Sequence, residues 1–159
     1  MTTASTSTPF SRACLAILWG GLACGILDIT QAMVAWGIQS GTKPIRILQG
    51  VASGLIGRTA AVQGGLKTAV LGAALHFFIA FTVATVYYTA SRLIPFMTRH
   101  AVISGLLYGE MVFLFMYFVV MPIAIGWPKF SMATYITGPI GHPFLVGLPV
   151  ALIVRYYSK

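Results

Sequence analysis

Four long apolar stretches occupy most of this chain, and each contains one strongly polar or ionisable side chain. These side chains are Asp28, His76, Glu110 and His142. A charged side chain in the hydrocarbon of a bilayer costs about 3 kcal/mol or more. A chain with such residues therefore shelters them inside a bundle of helices or uses them. The sequence predicts a small polytopic membrane protein with a polar interior.

The composition favours the same class of protein. Only 8 % of the 159 residues are charged and 58 % are hydrophobic, whereas a soluble domain has about 25 % charged residues. The net charge is +8, but the cations lie at the ends of the apolar stretches, where lipid headgroups would meet them. We therefore predict the lipid bilayer as partner and no binding of nucleic acid. The length suits a single transmembrane domain over residues 1–159.

The apolar stretches predict an all-α fold, an integral membrane four-helix bundle. The predicted spans cover about 13–38, 66–91, 100–125 and 136–157. The first is longer than the apolar core of a signal peptide, about 7–15 residues, so we expect an uncleaved helix. Pro139, Pro143 and Pro149 in the fourth span predict a kinked or irregular start, which membranes tolerate where protein covers the backbone.

The segment at about 44–58, between the first two spans, has a different character. It is too short and too amphipathic to cross about 30 Å of hydrocarbon. Pro44 suits the first position of a helix, and Arg46, Gln49 and Ser53 form its polar face. The pattern predicts a short interfacial or partly re-entrant amphipathic helix. A surface loop helix is the alternative.

Four crossings put both termini and the middle loop on one side of the membrane. The cations are Arg12, Arg92, Arg99, Arg155 and Lys159 on that side and Lys43, Arg46, Arg58, Lys67 and Lys129 on the other. Equal numbers leave the positive-inside rule undecided, but the charge density of the short middle loop and the tail favours cytoplasmic N- and C-termini. Asp28, His76 and His142 then lie about 9–15 Å below the outer boundary. Glu110 lies near the middle of the third span.

Small residues accompany the polar side chains along the helical faces. Cys24, Asp28 and Gln31 share a stripe of the first span, and Gly72 and His76 share one of the second. Such faces are typical of helix–helix contacts in membranes. The predicted intramembrane polar cluster comprises Asp28, Gln31, His76, Glu110 and His142.

This cluster supports three functional hypotheses. The first is a proton-linked role in transport or acid stress, because histidine titrates near neutral pH and a carboxylate partner tunes it. The second is electron transfer through haem b, with His76 and His142 as axial ligands. The third is a small accessory or structural subunit, in a homo-oligomer or a larger membrane complex.

The same polar residues can also be explained by a structural role alone. A lone histidine in a membrane is often only a hydrogen-bond partner between helices. Apart from the haem hypothesis we predict no cofactor and no metal site. Neither a nucleophile motif nor a phosphate-binding glycine loop is visible, so we predict no enzymatic activity.

Short motifs in the later spans form a further pattern. They are His76 in span two, Gly105-Leu106-Leu107 through Met121-Pro122 in span three, and Gly141-His142 opening a span that ends at Arg155-Tyr156. This pattern resembles the YagU-like bacterial inner-membrane proteins, for which acid resistance is suggested. The resemblance implies a bacterial inner (cell) membrane, a cytoplasmic tail and an emphasis on His76, Pro122, Gly141 and His142. Asp28 and Glu110 lie outside the pattern.

Overall fold

The computed structural model of the protein describes residues 9–127 and 129–159. Helices account for 91 % of these residues and no strand occurs among them, so the all-α prediction is confirmed. The helices are α1 (Pro9–Ser40), α2 (Pro44–Ile56), α3 (Arg58–Gln63), α4 (Gly65–Leu93), α5 (Pro95–Arg99), α6 (Ala101–Ile125) and α7 (Met132–Tyr157).

Four of these helices, α1, α4, α6 and α7, are long and apolar enough to cross a membrane. The fold is therefore that of a membrane-embedded helical bundle. The fourth long helix begins at Met132, one turn before the predicted start at 136, because Ser131 caps it. The Ser131 side chain accepts a hydrogen bond of 3.2 Å from the backbone N–H of Thr134, which satisfies an amide that has no partner within the helix.

The segment between the first two spans forms two short helices. α2 begins at Pro44 as expected, but it ends at Ile56 and not at residue 58. Gly57 adopts φ +80°, a conformation that disfavours side chains and breaks the helix. Arg58 then begins α3.

α2 packs closely against the first part of α4. A Cβ atom at Gly72 would overlap the backbone carbonyl of Leu48, so only glycine allows the two backbones this approach. Ala52 is fully buried in the same contact region. At the end of α2, Gly54 lies near Ala124 of α6. The segment is therefore packed onto the bundle along α4 and touches the end of α6.

The long helices pack through small residues. α1 lies against α4 on one side and α7 on the other. Gly21 and Gly25 of α1 leave room for the rings of Phe81 and Phe77 on α4. Removing side chains at these positions lets the helices approach closely, which is how helices associate where lipid removes the hydrophobic driving force.

The α6–α7 contact is built in the same way. A Cβ at Gly109 would overlap the carbonyl of His142, and one at Gly147 would overlap the carbonyl of Gly105. The backbone of α7 around His142 is therefore held directly against α6.

The early part of α7 is irregular, as its prolines predicted. Residues Ile136–Gly147 form a π-helix that contains Pro139 and Pro143. Proline lacks an N–H and its ring clashes with the preceding turn of an α-helix. A wider π-helical backbone is rare and is frequently found at functional sites. It carries His142 in this protein.

Candidate functional site

The site is built on one turn of α1, where Asp28 and Gln31 lie three residues apart on the same face. The Gln31 amide donates a hydrogen bond of 2.8 Å to Asp28 Oδ1 and one of 3.2 Å to the backbone carbonyl of Thr137. Gln31 therefore ties the carboxylate to α1 and ties α1 to α7. The residue three positions on from Asp28 is its neighbour in any helix, so the sequence already placed both side chains on one face.

His142 approaches the same carboxylate from α7. Its Nε2 atom lies 4.0 Å from Asp28 Oδ1, and the side chains of His142 and Asp28 are 16 % and 26 % exposed. Gly141 leaves the space that Gln31 occupies beside the imidazole. The ring of Phe113 on α6 packs edge-on at 5.6 Å from the His142 ring. Three of the long helices thus enclose the Asp28–His142 pair.

A second contact fixes the orientation of the imidazole. His142 Nδ1 lies 2.5 Å from the carbonyl oxygen of Thr137. A carbonyl oxygen only accepts hydrogen bonds, so Nδ1 carries a proton and donates it. In neutral His142 the Nε2 atom that faces Asp28 is therefore an acceptor, and so is the ionised carboxylate. One added proton would therefore be needed before a hydrogen bond could join Nε2 of His142 to the Asp28 carboxylate.

His76 lies close by but has a different partner. Its Nε2 atom is 2.9 Å from the carbonyl oxygen of Gly25 on α1, and its ring packs edge-on against Phe77 at 5.6 Å. His76 is buried, and Gly25 precedes Asp28 by less than one turn. His76 therefore serves as a hydrogen-bond link between α4 and α1, at nearly the same level as the pair but not in contact with it.

The structure leaves Glu110 outside the cluster. Its neighbour Gly109 packs against α7, and this turns Glu110 toward the outer side of α6. Glu110 is half-buried and forms no hydrogen bond or ion pair with the part of the chain that the structure describes.

The polar face expected on α2 is divided between two environments. Arg46 is exposed, but Gln49 is only 3 % exposed. Arg46 donates to Gln49 Oε1 at 3.0 Å, and Gln49 donates to the carbonyl of Gly65 at 2.9 Å. Ser53 donates to its own helix, at the carbonyl of Gly50. Gln49 thus fastens α2 to α4 instead of facing the headgroups.

Two features of the site, the role of Thr137 and a groove beside the pair, were not predicted from the sequence. The acceptor at Thr137 is a backbone oxygen, which no side-chain pattern reveals. The groove measures about 560 Å³ and lies between α1 and α7. Its walls are apolar except for Gln31 and Gln39, and Gln39 accepts a hydrogen bond from the backbone N–H of Ala133. The groove reaches Gln31, which is the partner of Asp28.

The two haem-ligand candidates both point at α1. The Nε2 atom of His76 is held by Gly25 and that of His142 faces Asp28, so a haem bound by both would require both contacts to open. No group of three or more His, Cys, Asp or Glu side chains that could hold a metal occurs in residues 9–127 and 129–159. A Soret band lost in His76→Ala or His142→Ala would be the signature of the haem hypothesis.

Comparisons of the chain with protein families, with curated proteins and with solved structures find no match. The resemblance to the YagU-like proteins therefore stays a prediction.

Proposed function

We propose that this membrane protein binds and releases a proton at the Asp28–His142 pair and that its function is proton-linked and non-enzymatic. The observation that carries the proposal is the 4.0 Å approach of His142 Nε2 to Asp28 Oδ1, with His142 Nδ1 already committed to Thr137. Imidazole is the side chain whose ordinary titration falls between about pH 5 and pH 8. The pair thus combines a proton acceptor on the imidazole with an adjacent carboxylate that would share the proton.

Uptake of the proton also provides a way to move helices. An N–H···O hydrogen bond needs about 2.8 Å between its heavy atoms, so protonated His142 and Asp28 gain by closing about 1 Å. Asp28 lies on α1 and His142 on the π-helical part of α7. Protonation would draw these two helices together beside the groove. Release of the proton would remove that attraction.

We further propose that the protein lies in a bacterial inner membrane with both termini in the cytoplasm. The resemblance to the YagU-like proteins supports the membrane. The cations of the loop between α4 and α6 and of the C-terminal tail support the orientation. A role during acid stress would agree with the chemistry of the pair.

A histidine titration tests the binding of the proton directly. We expect the imidazole nitrogen signals of His142, followed by NMR in lipid nanodiscs, to shift with pH between protonated and neutral values. In Asp28→Asn the carboxylate that would share the proton is gone, so the pH dependence of the His142 signals should change. Glu110→Gln is the matched control, because it removes an intramembrane carboxylate outside the site. A His142 titration that Asp28→Asn leaves unchanged contradicts the proposal.

Proton movement is measured separately in vesicles that contain a pH-sensitive dye. After an outside acid pulse, we expect wild type and Glu110→Gln to acidify the lumen faster than empty vesicles. His142→Gln and Asp28→Asn should each reduce the added rate by about a hundredfold or more, the lower end of the range for removal of an acid–base group. Equal rates in wild type, His142→Gln and Asp28→Asn would refute proton-linked transport. A normal titration with no flux would leave a proton sensor.

A small accessory subunit of a larger membrane complex is the second candidate. The observation that favours it is the outer face of α6, where Glu110 lies among exposed apolar side chains without a partner in the described chain. Co-purification with larger subunits in a fixed stoichiometry would support this alternative.

A further inference from the structure

The groove between α1 and α7 has the dimensions of a site for one lipid chain. Its volume of about 560 Å³ is within the range of about 300–1,000 Å³ that is usual for small-molecule sites. The α1 wall runs from Gln31 to Gln39, which is about 12 Å of helix. The hydrocarbon of one leaflet is about 15 Å thick, half that of the bilayer. The groove therefore extends through most of one leaflet, from the end of α1 toward the middle of the membrane.

Hydrogen bonds join the two walls of the groove near both of its ends. At the outer end, Gln39 accepts a hydrogen bond from the backbone N–H of Ala133. At the inner end, the Gln31 amide donates to Asp28 and to the carbonyl of Thr137. Both N–H groups of Gln31 are thus already used, so a hydrocarbon chain beside Gln31 leaves no amide donor without a partner.

The rest of the groove is apolar and open on the side that faces away from the bundle. Val34 and Ile38 of α1 and Phe144 of α7 line it, and each of these side chains is more than half exposed. A lipid chain can therefore enter from the surrounding bilayer without any helix moving aside.

The outer end of the groove is positively charged. Lys43 follows Gln39, at the end of the α1 wall, by four residues. Lys129 precedes Met132, at the start of the α7 wall, by three residues, so each lysine Cα lies at most about 14 Å from its wall. Both side chains are exposed and form no ion pair with the described part of the chain. Asp28 lies about 16 Å deeper along α1 than Gln39, so an anionic headgroup at this end would meet cations first.

We propose that the groove between α1 and α7 binds one acyl chain of an anionic phospholipid and that Lys43 and Lys129 bind its headgroup. The acyl chain gains contacts along the apolar walls. The two ammonium groups favour a lipid with net negative charge over a zwitterionic one. This inference does not rest on the proton-binding proposal, because neither the lysines nor the apolar walls exchange the proton.

Photocrosslinking in vesicles tests the occupant. The protein is reconstituted in equal amounts of phosphatidylglycerol, which is anionic, and phosphatidylcholine, which is zwitterionic. A trace of one or the other carries a diazirine on its acyl chain, and the crosslinked peptides are identified by mass spectrometry. We expect crosslinks at Val34, Ile38 or Phe144 to favour phosphatidylglycerol by about fivefold or more, the factor for one lysine near a charged headgroup. Crosslinks at Val86, on the exposed surface of α4 outside the groove, should show little preference.

A substitution that fills the groove tests the site itself. Val34→Trp places an indole where the acyl chain would lie, so crosslinking at Ile38 and Phe144 should be lost. Val86→Trp is the matched control, because Val34 and Val86 are 54 % and 51 % exposed and only Val34 lines the groove. Val86→Trp should keep the groove crosslinks, and circular dichroism verifies that both variants are folded.

Substitution of the lysines tests the headgroup contact without changing the groove. Lys43→Gln with Lys129→Gln should bring the preference for phosphatidylglycerol close to one. Arg58→Gln with Lys67→Gln removes the same charge from the same end of the bundle and should retain the preference. Equal crosslinking of the groove by the two lipids, no groove crosslink to either lipid, groove crosslinks that survive Val34→Trp, or a preference unchanged by the loss of Lys43 and Lys129 would each overturn the proposal.

Discussion

At the scale of single residues, one stretch of α1 meets both intramembrane histidines, because the carbonyl of Gly25 bonds to His76 and the carboxylate of Asp28 faces His142. Counting residues from the span ends placed Asp28, His76 and His142 in one layer, and the contacts of both histidines with the stretch of α1 that carries Asp28 agree with that. The side of each helix that faces a given neighbour depends on how the helices pack. The sequence therefore placed His76 and Glu110 in the cluster, whereas His76 bonds to Gly25 and Glu110 lies outside.

The different roles of the two histidines lead to a residue-scale prediction. His76→Ala removes the hydrogen bond to Gly25 and leaves a small cavity, so we expect the free energy of unfolding to fall by about 1–3 kcal/mol. Thermal unfolding in detergent measures this loss. Proton uptake by His142 should persist in His76→Ala. If His76→Ala instead abolished the titration of His142, the assignment of His76 to helix packing would be wrong.

At the scale of helices, the exact starts and ends were hardest to predict, because single residues that begin or end a helix interrupt the hydrophobic pattern. Pro44 predicted the start of α2 correctly because proline fits the first turn of a helix. Gly57 was missed because a single glycine in a helical pattern does not reveal its backbone conformation, although its positive φ ends the helix. Ser131 was missed because it precedes the apolar run, although its side chain starts α7. The prolines of α7 predicted irregularity but not a π-helix.

The contact between α2 and α4 gives a prediction at this scale. Gly72→Leu would place a side chain into the backbone of α2 at Leu48, so α2 should separate from α4 with a loss of about 1–3 kcal/mol. Protease cleavage within residues 57–64 should become faster. Gly50→Ala is the matched control, because a Cβ at Gly50 meets nothing within 4 Å. Similar proteolysis of Gly72→Leu and wild type would argue against a tight α2–α4 contact.

At the scale of the whole molecule, charge is confined to the two ends of the bundle. Both acidic residues lie within the long helices, and each end of the bundle carries five cations. The terminal end is fastened by side chains from different helices: Arg12 of α1 donates to the carbonyl of Lys159, and Arg92 of α4 donates to Ser158. Four crossings fix which segments share a side, but they do not fix which side is cytoplasmic.

Labelling of single cysteines with a membrane-impermeant maleimide decides the orientation. Phe96 in α5 and Gln63 in α3 are both exposed and lie at opposite ends of the bundle, and Cys14→Ser with Cys24→Ser gives a background without other thiols. With both termini in the cytoplasm, Gln63→Cys should be labelled in spheroplasts, where the outer surface of the inner membrane is accessible. Phe96→Cys should be labelled only after permeabilisation.

The cations are equally divided between the two sides, so their number does not set the orientation. With cytoplasmic termini, the decisive charges are Arg92 and Arg99 of the short loop between α4 and α6, because they lie close to span ends and oppose translocation. The reverse labelling pattern would contradict cytoplasmic termini and would place the α2–α3 segment on the cytoplasmic side.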